Sequence, residues 1–307
     1  MIDRRQFIAG LGATLAAGCV HRGAGAAPAR APLSFSTLGC PSWTWAQILD
    51  FAAAHEFAAI ELRGIQQDMD LTQRREFAPA RLAQSKREVA DHGLRIACLG
   101  ASAEMHVPES PRREAWLDEG RRFIDLAHAL DAPYVRVFGN KWVAGEERDR
   151  TLDRIAAGLR TLGDHAKGSG VTVVLETHGD FSDSPTVLDI MRRADSPTVA
   201  LLWDAHHTFA FSHEDPEATA RQLMPWVRHV HLKDSVPSGG GTDRRYVLTG
   251  RGEVPVRRQV EVLVRHGYRG YYNFEWEKRW HPEIEEPEVA FAQYAQAVRE
   301  YLRAARA

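Results

Sequence analysis

Four short strings in the second half of the chain bring acids and imidazoles close together in sequence. They are Leu175-Glu176-Thr177-His178, Leu202-Trp203-Asp204-Ala205-His206-His207, His229-Val230-His231-Leu232-Lys233-Asp234 and Asn273-Phe274-Glu275-Trp276-Glu277. Each grows out of a short apolar run, so each polar group falls at the C-terminal end of a predicted strand. Taken singly, a strand-end glutamate reads as a salt-bridge partner and a His-x-His pair as structural. Four successive strand ends of this kind point elsewhere, because buried charges need partners and one cation would satisfy them all. Glu176, Asp204, His231 and Glu275 form an O3N set suited to a divalent cation such as Mn2+, Mg2+, Co2+ or Zn2+. A cation on a carbonyl and its neighbouring hydroxyl acidifies the C–H between them and stabilises the resulting enediolate. Glu176 and Glu275 are read as ligands that also move protons, Asp204 and His231 as ligands alone. Returning the proton to the opposite face is epimerisation, and returning it to the adjacent carbon is isomerisation. Expelling a β-leaving group is elimination.

Such side chains need a scaffold that presents strand ends side by side. Eight strands are predicted, at 33–38, 58–62, 94–99, 134–138, 171–176, 199–204, 229–233 and 271–276. Their near-continuous apolar character fits parallel strands covered on both faces. Helical segments at 45–54, 79–91, 114–130, 148–167, 185–194, 216–224 and 256–265 separate them, and a last one runs over 287–304. Gly93, Gly170 and Gly267 close helices ahead of the next strand, while Pro185 and Pro216 follow the N-caps Ser184 and Asp215. Eight βα units over residues 32–307 predict an α/β (β/α)8 barrel, with a doubly wound sheet as the alternative. In such a barrel the chemistry sits at the strand C-termini. Earlier strands then add Glu61, Arg63, His106 and Arg136, and the seventh adds Lys233 and Asp234. Trp43, Trp45, Trp142 and Trp280 fall in predicted top-face loops, where they would stack on sugar rings or seal the mouth. Residues 234–253 read as the longest loop. Its Gly239-Gly240-Gly241 run with Arg244 and Arg245 is read as a flexible lid, or as a phosphate cradle.

The strings LETH, WDAHH, HVHLKD and FEWEKRWHPE, in this order and spacing, resemble the xylose-isomerase-like TIM-barrel superfamily from about Leu33 onward. That group includes sugar isomerases and epimerases, hydroxypyruvate isomerases and inosose dehydratases. The resemblance implies metal ligands at Glu176, Asp204, His231 and Glu275 and a substrate-contacting histidine at His207. His178, His106, Arg136, Lys233 and Glu61 join it as substrate-binding candidates. In the ketose epimerases an arginine follows the histidine ligand by six residues. Pro237 stands there in this chain, and Arg244, Arg245 or Arg251 is the expected substitute.

Composition narrows the classes. With 39 Lys plus Arg against 41 Asp plus Glu, the formal charge is −2. That balance weighs against a nucleic-acid binder, including a three-zinc repair endonuclease of the same superfamily. Three cysteines exclude a disulfide scaffold, and Cys40 and Cys98 are expected as free thiols. Residues 1–31 read as a leader and linker. Arg4-Arg5-Gln6-Phe7 followed by a short apolar run resembles a twin-arginine signal, and Cys19 is an option for a lipid anchor. The expected location is periplasmic, with the twin-arginine export machinery as a partner. Folded export after cytoplasmic metal loading favours Mn2+ as the single cofactor. The sequence therefore points to a metal-dependent isomerase or epimerase of a free sugar or glycoside. The alternatives are a 3-keto-glycoside lyase and a non-catalytic sugar-binding barrel.

Overall fold

The computed structural model describes residues 30–240 and 242–307. The twin-arginine motif and Cys19 lie outside the described residues. Strands β1 (Leu33–Ser36), β2 (Ala59–Leu62), β3 (Arg95–Glu104), β4 (Tyr134–Asn140), β5 (Thr172–Gly179), β6 (Val199–Asp204) and β7 (Val227–Leu232) succeed one another around a barrel. After β7 the chain forms an antiparallel hairpin, β8 (Asp234–Pro237) and β9 (Arg244–Val247), before β10 (Tyr272–Phe274) closes the barrel against β1. Every ladder of the barrel is parallel. The (β/α)8 expectation is therefore met.

Helices α1 (Trp45–Ala54), α2 (Pro79–Asp91), α3 (Pro111–Ala129), α4 (Arg148–Ala166), α5 (Ser184–Ala194), α6 (Ala205–Ala210), α7 (Pro216–Leu223), α8 (Val256–Arg265) and α9 (Pro287–Arg306) join the strands. Local chemistry sets their starts. Thr44 and Gln47 make a capping box for α1, and the hydroxyl of Ser110 accepts from the Arg113 N–H at the head of α3. The main core lies between strands and helices; Phe35, Phe274, Phe291 and Tyr294 stack there. A second small cluster of Cys98, Val174, Ala200 and Leu202 fills the barrel's interior. No described helix is long and apolar enough to cross a membrane.

Three expectations need correction. The N-cap of α5 is Asp183, whose side chain accepts from the Thr186 N–H, and Ser184 is the first residue of the helix. The segment 234–253 is not a loop throughout, because its outset is the β8–β9 hairpin, with Gly241 at the tip outside the described residues. The Asp234 carboxylate anchors both ends of the segment, accepting backbone N–H bonds from Ser235, Gly250, Gly252 and Val254. Trp43 and Trp45 do not stack at the mouth. They are buried in the core, where Trp43 packs on Phe51 and Trp45 on Phe77. Cys40 and Cys98 are buried free thiols, as expected.

Candidate metal centre and substrate chamber

Side chains alternate across a strand, so residues two apart share the inner face. On that rule Val174, Glu176 and His178 point inward from β5, Leu202 and Asp204 from β6, and His229, His231 and Lys233 from β7. Asn273, Glu275 and Glu277 do so from β10 and its extension. The lower inward positions are apolar on β5 and β6 but polar on β7 and β10, at His229 and Asn273, and the upper ones carry carboxylates, imidazoles and Lys233.

Glu176, Asp204, His231 and Glu275 each present one ligand atom, and these atoms all lie within 4.8 Å of one another, fully buried. Local bonds orient each one. Asp204 caps α6: its Oδ1 accepts from the backbone N–H of His206 at 2.9 Å and His207 at 3.0 Å, which leaves Oδ2 turned to the centre. The His231 ring holds Nδ1 3.4 Å from Glu176 Oε1 and 3.2 Å from Glu275 Oε2, while Nε2 lies 2.8 Å from Glu61 Oε2. Glu61 also meets His229 Nε2 at 2.9 Å. A carboxylate behind a histidine fixes the tautomer that frees the other nitrogen, the usual arrangement behind a metal-bound imidazole.

The donor set fits a divalent cation. Glu176 Oε1 and His231 Nδ1 are buried without hydrogen-bond partners, while Glu176 Oε2 and Asp204 Oδ2 are met by the cations of Arg136 and Lys233. Electrostatics agrees. Burial raises the Asp204 pKa, and although Lys233 opposes this, the nearby Glu275 and Glu176 push it further up. Crowding of carboxylates in a dry pocket is relieved by positive charge. Burial also opposes ionisation of Glu176 and Glu275. Arg136 and His231 together outweigh it at Glu176, and His231 with Lys233 outweighs it at Glu275, so both are held below the ordinary carboxylate range. His231 is raised well above an ordinary imidazole, because Glu275 and Glu61 overcome its burial.

Above the ligands a chamber of about 250 Å3 is lined by Arg63, Arg136, Glu176, His178, His207, Tyr246, Glu275, Glu277 and Trp280, among others. His178 and His207 face it with ring centres 4.3 Å apart, and burial lowers both pKa values, leaving neutral imidazoles. Arg136 is buried beside Glu176 at 3.1 Å and over the Phe138 ring. A cleft of about 420 Å3 between the β5 loop, α6 and Thr242 shares His207 with this chamber.

Other candidates fall differently. Glu61 lies beneath the ligands and does not line the chamber. Lys233 turns its ammonium onto the acids, 2.8 Å from Asp204 Oδ2, 2.9 Å from Glu277 Oε1 and in contact with Glu275. His106 is half-buried beyond the end of β3 and does not line the chamber. Its carbonyl accepts from Arg154. Arg251 is exposed, since the turn pinned by Asp234 faces it outward. Arg244 is occupied by Ser235 and Glu253. Trp142 packs on Phe181 and under Arg148, away from the chamber, whereas Trp280 stands at the chamber wall. Sequence reasoning misses Glu277, Tyr246 and His281. Glu277 carries a signal, since it lies two residues beyond Glu275 on one face. Tyr246 and His281 arrive only through the hairpin and the loop after β10.

Comparison with known proteins accords with this architecture. The chain is 28% identical over 194 residues to an inosose dehydratase of Bacillus thuringiensis (strain Al Hakam), a stretch covering 57% of this chain and 59% of that protein. It is 29% identical over 182 residues to one from Clostridium perfringens (strain 13 / Type A), covering 54% and 58%. The matches thus span less than two thirds of these relatives. Among solved structures, L-ribulose 3-epimerase superposes with a TM-score of 0.72 at 18% identity over 89% of this chain and 95% of that one. The 3-keto-D-glucoside 4-epimerase of E. coli gives 0.68 at 15% over 90% and 98%. At such identities the likeness is one of fold. Residues 49–305 match the family described as xylose isomerase-like TIM barrel, and with the closed barrel this establishes that the chain belongs to that family.

Proposed function

We propose that the chain is a divalent-metal-dependent isomerase or epimerase that removes a proton alpha to the carbonyl of a free sugar or glycoside. The observation that carries this reading is the buried convergence of Glu176, Asp204, His231 and Glu275 at the floor of an open chamber. When bound there, a cation such as Mn2+ supplies electron withdrawal that acidifies the neighbouring C–H. The remaining work falls to the chain. Glu176 and Glu275 both line the chamber and both are held ionised, so each is able to accept and return a proton. His178 and His207, neutral and facing the same space, offer hydrogen bonds to sugar hydroxyls. Leu38 and Phe138 supply apolar wall. The basic start of the leader supports export to the periplasm, where free sugars and glycosides are the available substrates.

A 3-keto-glycoside lyase is the second reading. The cleft that shares His207 with the chamber offers room for an aglycone, and the relatives named as dehydratases are consistent with elimination. The test is proton NMR in D2O with the Mn2+-loaded protein and ketoses or 3-keto-glucosides. The expected result is loss of an α-proton signal that stops with EDTA and in Glu275→Gln. Release of free aglycone identifies the lyase. Absence of exchange with every keto-sugar refutes both.

A further inference from the structure

Arg63, at the end of β2, is a buried charge with no hydrogen-bonded or ion-paired partner among the described residues, although Glu119, Glu275 and Glu176 attract it at longer range and Arg136 repels it. The residue is 7% exposed and lines the chamber beside Arg136 and Glu275. Its backbone N–H bonds to Thr37 Oγ1 at 2.8 Å, but its guanidinium makes no hydrogen bond or ion pair among the described residues, and Nη1 is fully enclosed. Arg136, by contrast, has Glu176. A buried guanidinium left unpaired is costly, so such a group is retained where something else completes it.

The fold makes room for this arginine. At Gly100 in β3, an added Cβ would lie 2.6 Å from Arg63 Cδ and 2.7 Å from Arg136 Nη2. Any side chain there would push on the Arg63 stem and on the Arg136 guanidinium.

We propose that Arg63 binds a carboxylate carried by the substrate, so that the chamber takes an acidic sugar such as a keto-uronate in preference to a neutral one. This rests on the reading of the site as one that acts on sugars. A guanidinium fork matches a planar carboxylate with two parallel bonds. A phosphate dianion fits less well. It recruits several donors, often backbone N–H groups at a helix N-terminus, and Glu176, Asp204, Glu275 and Glu277 in the same space repel a second negative charge.

The test is calorimetric titration of the Mn2+-loaded protein with D-glucuronate, D-glucose and D-glucose 6-phosphate. The wild type should bind D-glucuronate about tenfold or more tightly than D-glucose, the usual scale for hydrogen bonds to a charged group, and more tightly than the phosphate. In Arg63→Gln the glucuronate-to-glucose ratio should fall close to one, with a melting transition and one Mn2+ per chain retained. Arg63→Lys should keep part of the preference, and serves alone if Arg63→Gln does not fold. Equal wild-type affinities, a preference surviving in Arg63→Gln, or stronger binding of the phosphate overturns the proposal. So does α-proton exchange in D2O that slows equally for D-fructose and D-fructuronate in Arg63→Gln, since that assigns Arg63 to the developing oxyanion. Exchange on D-fructose without any acid preference overturns this inference alone. Acid preference without exchange on any sugar leaves it standing and overturns the proposed reaction.

Discussion

Glu61→Ala tests whether the proposed metal site depends on a residue outside its four candidate ligands. Glu61 Oε2 stands 2.8 Å from His231 Nε2 and 2.9 Å from His229 Nε2, with all three side chains buried. Burial opposes its ionisation, yet His231 and His229 outweigh this and hold Glu61 below the ordinary carboxylate range. At neutral pH it is therefore a carboxylate accepting two imidazole bonds. A hydrogen bond to a charged group contributes about 1.5–3 kcal/mol. Losing the one to His231 frees the ring to rotate and, once neutral, to keep its proton on Nδ1, the nitrogen that faces Glu176 and Glu275. At 1.4 kcal/mol per factor of ten, Mn2+ affinity should fall about ten- to a hundredfold. Stability of the metal-free protein should fall by about 3 kcal/mol, because two imidazole N–H groups lose their acceptor in a dry interior. Mn2+ titration followed by electron paramagnetic resonance measures the first effect and urea unfolding the second. Glu61→Gln, which keeps one acceptor oxygen, should fall between wild type and alanine. A folded Glu61→Ala that binds Mn2+ within twofold of wild type would refute the argument, since His231 would then be oriented by its backbone and packing alone.

Two further predictions concern the same acids. Lys233 contacts Asp204, Glu275 and Glu277, so Lys233→Met should tighten Mn2+ about tenfold while destabilising the metal-free protein by about 3–5 kcal/mol through unpaired buried carboxylates. Weaker Mn2+ binding in calorimetry would show that the lysine supports the metal site instead of competing for it. Asp204 and His231 both have raised pKa values, so each retains a proton nearer neutrality, and metal binding must displace it. Mn2+ affinity should therefore rise with pH through the neutral range, with about one to two protons released near pH 6.5. Calorimetry in buffers of different ionisation enthalpy counts them, and no release would exclude these two groups as the displaced acids.

Some of the site was legible from residue order alone. The candidate metal set stands out because a barrel repeats one unit and puts each strand end at the same height, so Glu176, Asp204, His231 and Glu275 are equivalent positions on successive units. Glu277 was legible too, by the period of two, although Lys233 as its partner was not. His106 and Arg251 mislead for the opposite reason. Both lie past the ordered strand end, where loop geometry rather than strand period sets direction. The β8–β9 hairpin has turn glycines in its sequence, but its anchoring depends on Asp234 meeting N–H groups 16 to 20 residues away.

What the sequence determined by itself was the barrel, its order of strands and helices, and the four strand-end side chains proposed as an O3N ligand set. These come from local periodicity, capping residues and strand-end chemistry, all of which act over a few residues. Only the tertiary structure decided that Glu61 reaches across 170 residues to His231. It alone turned Lys233 onto the acids and left the Arg63 guanidinium, beside Gly100, with no hydrogen bond or ion pair among the described residues. These are contacts across the barrel's interior. They depend on the closure that brings distant strands face to face and on the exclusion of water, which makes every unpaired charge there costly.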